Sequence, residues 1–139
     1  MKLNQSLLAV TLGLSLTSFC NAGDVFMSGS TAMRGVVYSA LTNAGTVFTT
    51  APSTTLFNGG GGSANYMAFQ GTLVGGSGTT TIYCHWSGSE AGILDVCSNT
   101  CGSETFIDFT LLDGTDHGSA LPGTLQRKPV DLAMGGSDQ

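Results

Sequence analysis

Hydrophobic positions in this chain fall into short runs divided by glycine, serine and threonine, and one run near the start sets the pattern. Val25-Phe26-Met27 is apolar throughout and too short for anything but the start of a strand. Ser28-Gly29-Ser30-Thr31 follows. Met33, Val36, Val37, Ala40, Leu41 and Ala44 then recur at steps that place all six on one face of a helix. Ser30 or Thr31 is the expected N-cap, and Gly45 stands where a C′ glycine belongs. A helix start points free N–H groups and the positive end of its dipole at the turn before it. That turn is therefore a candidate anion site, the alternative being that its hydroxyls only cap the helix.

The next punctuation is long. Pro52, a Ser-Thr-Thr run and Asn58 with four glycines make Thr46–Ser63 read as a flexible loop. A phosphate-cradling P-loop is excluded, because no Gly-Lys-Ser/Thr follows the glycines. Asn65–Gly71 and Thr79–Trp86 read as strands, forming a hairpin or flanking a long excursion. The second of them runs into Ser87-Gly88-Ser89. Ala91, Ile93, Leu94, Val96 and Cys97 then describe a short helix with Glu90 at its start and Asp95 in its last turn. The strand, Ser/Gly turn and helix of the first segment are thus repeated. A nucleophile elbow needs glycine two residues either side of its serine, and neither Ser87 nor Ser89 has them. Phe106–Leu112 is a further expected strand, closed by Asp113-Gly114 and a loop in which His117 is solvated. Arg127-Lys128 carries most of the remaining positive charge, and Val130–Met134 is the last apolar strand.

Lys2, the apolar stretch Leu7–Leu16 and the small residues of Cys20-Asn21-Ala22 form a secretory signal peptide, residues 1–22, too short to span a bilayer. Phe19 argues against a lipoprotein signal at Cys20. Cleavage after Ala22 leaves 117 of the 139 residues, one modest domain, and takes the formal charge from −5 to −6 with Lys2. Such a chain offers no basic face for nucleic acid, and any anion site in it must work through local dipoles. The few charges and abundant Gly, Ser and Thr favour strands, turns and short helices. Cys84, Cys97 and Cys101 remain, and in an exported protein one disulfide and one leftover thiol are expected among them. A zinc site on Cys84, His85, Cys97 and Cys101 is the sharper alternative, disfavoured because neighbours on a strand face opposite ways.

Three segments together carry a resemblance. Ser28-Gly29-Ser30-Thr31-Ala32-Met33-Arg34 with its helix, Ser87-Gly88-Ser89-Glu90-Ala91-Gly92-Ile93, and Val130-Asp131-Leu132-Ala133-Met134 leading to Ser137-Asp138 stand in the order seen in periplasmic substrate-binding proteins. The chain resembles most closely the phosphate-binding protein of ABC transporters and its PBP-like relatives. The resemblance implies an α/β fold with a mixed sheet and short helices, part of a PBP-like (type II) lobe. Residues 23–139 are then an N-terminal lobe, truncated, as the ending straight after a strand also leads one to expect. It further implies a periplasmic or secreted, non-enzymatic protein without cofactor, whose partners are a small phosphate-like anion and an ABC transporter permease. Carried over by position, the ligand contacts are Ser30, Thr31 and Ala32 in the first loop, Ser89 in the second and Asp138 in the third. Backbone N–H groups and hydroxyls supply uncharged donors, and a carboxylate such as Asp138 accepts from an oxyanion that keeps a proton. The sequence departs from the family at Met33 and Arg34, at Glu90 beside Ser89, and by one extra glycine before Ser137. A secreted structural or interaction module with the same fold and no small ligand is the second reading. A hydrolase is the third, and no nucleophile oriented by His85 or His117 can be drawn for it.

Overall fold

In the computed structural model the described residues are 23–88 and 103–135. Among these residues the fold is α/β: a mixed five-stranded sheet, one α-helix and a separate two-stranded ribbon. The strands are β1 (Asp24–Gly29), β2 (Ser53–Phe57), β3 (Tyr66–Thr72), β4 (Thr79–His85), β5 (Ser103–Ile107), β6 (Leu125–Pro129) and β7 (Leu132–Met134). The helix, α1, is Arg34–Thr42. The main sheet runs β2-β3-β4-β1-β7, and β5 and β6 pair with each other. β1 is parallel to both its neighbours, whereas β3 is antiparallel to β2 and β4. A parallel strand inside a sheet is covered on both faces, and this is why Val25-Phe26-Met27 is apolar without alternation.

The two faces carry separate cores. On one, α1 lays Val37 and Leu41 over Met27, Met67, Phe69, Ile82, Cys84 and Trp86. On the other, the ribbon presses Phe106 and Ile107 onto Phe26, Ala68 and Tyr83. Phe26 and Tyr83 stack at 5.1 Å, and Phe106 is tilted against Phe26 at the same distance. Asp131 ties β1 from below its last strand: its carboxylate accepts from the Phe26 N–H at 2.9 Å and its own N–H donates to the Phe26 carbonyl at 2.8 Å.

Several expectations are corrected here. Thr46–Ser63 is no plain loop: Ser53–Phe57 is a strand paired antiparallel with Tyr66–Gln70, and Gly61–Ser63 is a short 3-10 turn. The helix neither begins nor faces as expected. Met33 is its N-cap with no side-chain cap bond, and Val36 is 62% exposed while Tyr38 turns towards Phe69. The strand expected over Phe106–Leu112 ends at Ile107 and gives way to a 3-10 turn at Phe109–Leu111, with Asp108 accepting from the Thr110 N–H. Leu125–Pro129, read only for its charge, is a strand. The hairpin of β3 and β4 is as expected. The signal segment and the helix expected at Ala91–Cys97 lie outside the described residues, as do Cys97 and Cys101.

Candidate functional site

Three parallel strands, β4, β1 and β7, lie side by side and end at the same edge, where the turn after β1 meets the end of β7 and the residues just after β4. The Ser30 N–H donates to the Met134 carbonyl at 2.8 Å, joining the turn after β1 to the end of β7. The Gly88 N–H donates to the Gly29 carbonyl at 3.0 Å, joining it to the turn after β4. Gly29 is required at this junction. Its φ is +152°, and a Cβ there would stand 2.2 Å from the Met134 carbonyl oxygen.

Of the residues carried over as ligand contacts, Ser30, Thr31 and Ala32 form the turn between β1 and α1. Ser30 is buried and already engaged. Its carbonyl accepts from the Met33 N–H, and its hydroxyl oxygen accepts from the Ala32 N–H at 3.2 Å. Thr31 and Ala32 are exposed. Ser89 and Asp138 lie outside the described residues. Arg34, the first residue of α1, bonds through its guanidinium to the Asn65 side-chain oxygen. Asn65 in turn accepts from the Trp86 N–H through its carbonyl, so a cation is fixed beside the turns after β1 and β4.

A polar network beside these turns was not legible in the sequence. Ser28, fully buried, shares a hydrogen bond with Ser87 at 3.2 Å. Ser87 also bonds to Glu104 of β5, and Glu104 lies 3.2 Å from Nδ1 of His85. The His85 ring stacks on Tyr66 at 4.2 Å and 7°. Burial acts to raise the Glu104 carboxyl, but the Thr105 N–H, the His85 charge and the Ser87 hydroxyl outweigh it and hold it below its ordinary value. An ionised Glu104 only accepts, so the neighbouring hydroxyls and N–H groups are its donors. Glu104 stands between serine and histidine here, an order different from a nucleophile activated by its base. Ser28, His85 and Tyr66 are register partners across β1, β4 and β3 and therefore share one face. Glu104 comes 19 residues after His85, so no local spacing announces the pair.

Cys84 and His85 face opposite ways. The thiol is buried in the core under α1, where burial pushes its pKa up, and the imidazole faces the ribbon. A metal centre using both is not assembled, and no group of three or more metal-ligating side chains occurs among the described residues. Cys84 is a free thiol. His117, expected to be solvated, is partly covered. It stacks on Phe57 at 4.1 Å and pairs with Asp113 at 3.1 Å. No helix among the described residues is long and apolar enough to cross a membrane.

Compared with known protein families, with curated proteins and with solved structures, the chain matches none.

Proposed function

We propose that this is an exported solute-binding protein, a PBP-like lobe that holds a small oxyanion such as phosphate for ABC-type uptake. The observation that carries the reading is that the turn after β1 joins the end of β7 and the residues after β4 at the carboxyl ends of these adjacent parallel strands. In open α/β sheets, ligands bind outside the carboxyl ends of the strands. The three segments that resemble the family supply this junction, with Arg34 held beside it. Ser30, Thr31 and Ala32 are the contacts within reach of that edge, and Ser89 and Asp138 complete the proposed set. The role is binding rather than catalysis, and the location periplasmic or secreted.

The test is a phosphate titration of the isotopically labelled chain, followed by amide NMR. Each uncharged hydrogen bond to a hydrated anion nets about 0.5–1.5 kcal/mol, so a few of them give a Kd on the order of millimolar. Saturable shifts at Thr31, Ala32, Ser87 and Gly88 are expected. Shifts absent, or equal with chloride at matched ionic strength, refute the reading.

One set of observations favours the second reading, a secreted interaction module. The Ser30 and Ala32 N–H groups and the Ser87 hydroxyl are spent inside the protein. Phe109, Leu121, Leu125 and Leu132 are meanwhile exposed. Under that reading the chain self-associates or takes a protein partner, and its elution volume on size exclusion changes with concentration.

A further inference from the structure

We infer that the His85–Glu104 pair is a proton-controlled joint between the main sheet and the β5–β6 ribbon, firm when both groups are charged and slack when the imidazole is neutral. Topology places it. His85 is the last residue of β4 and Glu104 the second of β5, and nearby the two sheets meet through the apolar contacts of Phe26, Tyr83, Phe106 and Ile107. The two side chains are 14% and 16% exposed, so solvent screens their attraction less than on an open surface.

Glu104 is held whatever the state of the imidazole. It accepts from the Thr105 N–H at 2.7 Å, from the Thr105 hydroxyl at 3.2 Å and from Ser87. The Tyr66 ring fixes the plane of the imidazole. Protonation of His85 is thus the variable in the joint, not the position of either partner. Among the described residues the groups facing the pair are Tyr66 from β3, Ser28 from β1, Ser87 after β4, and Thr105 and Lys128 from the ribbon. Lys128 is the cross-strand partner of Glu104, with its Nζ 5.9 Å from the centre of the Phe26 ring.

The sign follows from the two groups separately. A carboxyl held below its ordinary value in the folded protein stabilises above that ordinary value, and the benefit is lost as pH falls through the depressed one. The ion pair needs a protonated imidazole, so its attraction fades as pH rises through the imidazole range, near 6.5 in unperturbed histidine. The ribbon is therefore held most firmly in mildly acidic surroundings.

Amide hydrogen exchange of the full chain in phosphate-free buffer tests this, with rates corrected for their intrinsic pH dependence. The readout is protection at Phe106 and Ile107 relative to amides of the β3–β4 hairpin. Between about pH 5.5 and about pH 8.5 this ratio is expected to fall several-fold, as a buried charge pair gives way to a neutral contact. In His85→Gln the ratio should not change with pH. A ratio independent of pH in the natural chain, or the same fall in the variant, overturns the inference. If His85→Gln does not fold, Glu104→Gln takes its place and must abolish the fall in the same way.

Discussion

Replacing Gly29 by alanine tests the junction on which both the sheet and the proposed site depend. The residue sits at a φ of +152°, where a side chain is strained by about 1–3 kcal/mol. The new Cβ would meet the Met134 carbonyl oxygen at 2.2 Å and the Met134 nitrogen at 2.8 Å, both backbone atoms that cannot swing aside. β7 must then move off β1. The movement breaks the Ser30–Met134 bond and disturbs the Gly88–Gly29 bond, each worth about 0.5–1.5 kcal/mol. The expected loss is about 2–6 kcal/mol, a large part of the ~5–15 kcal/mol that holds a typical domain together. Gly45→Ala is the control. Gly45 also has a positive φ, +81°, but nothing lies within 4 Å of its Cβ position, so only the conformational cost of about 1–2 kcal/mol applies. Urea unfolding followed by circular dichroism measures both variants against the natural chain. If Gly29→Ala costs no more than Gly45→Ala, β7 does not rest against Gly29 and the junction of β1 with β7 is wrong.

Sequencing of secreted protein should begin at Gly23, and retention of Met1 or a lipid on Cys20 would refute the signal segment. Without reductant, a thiol reagent should find nothing in the folded protein and one group after denaturation, because Cys84 is buried and its pKa raised. Thiol modification of folded protein at neutral pH would contradict that burial. Thr55→Val should cost about 1–3 kcal/mol in thermal or urea unfolding, since the buried Thr55 hydroxyl accepts from the Asp113 and Gly114 N–H groups. Thr55→Ser keeps the acceptor and should cost clearly less, and equal losses would mean the two bonds contribute nothing.

The parts of the fold that a reader of the sequence can find are those whose burial is continuous or strictly periodic. β1 is such a part, because its apolar run reflects coverage on both faces. β2 hides because its first residues, Ser53 and Thr54, stay outside the core, and only pairing with β3 buries Thr55, Leu56 and Phe57. β6 hides more completely: it is exposed apart from Gln126 and exists through its ladder with β5. The helix was found, but its face was misjudged. Burial there is decided by which side meets Phe69 and Trp86, and that side takes Tyr38 and leaves Val36 in water. At the candidate site the Ser/Gly turns announce themselves by composition. Ser28, Ser87, His85 and Glu104 do not, because their meeting depends on how β5 crosses the sheet.

The central place of β1 has a consequence for the order of events in folding. Its partners come late: Met27 pairs with Cys84 on one side and with Leu132 on the other. The β4 ladder must wait for residues up to His85 and the β7 ladder for residues up to Met134, and such non-local pairing makes folding slow. The antiparallel β2–β3 and β3–β4 pairs can form early, because their residues are close in sequence. Until β4 arrives, the strand that anchors both cores is an unpaired apolar segment, and until β7 arrives it is an open edge. A chain with this topology therefore keeps its central strand open for a long time after synthesis.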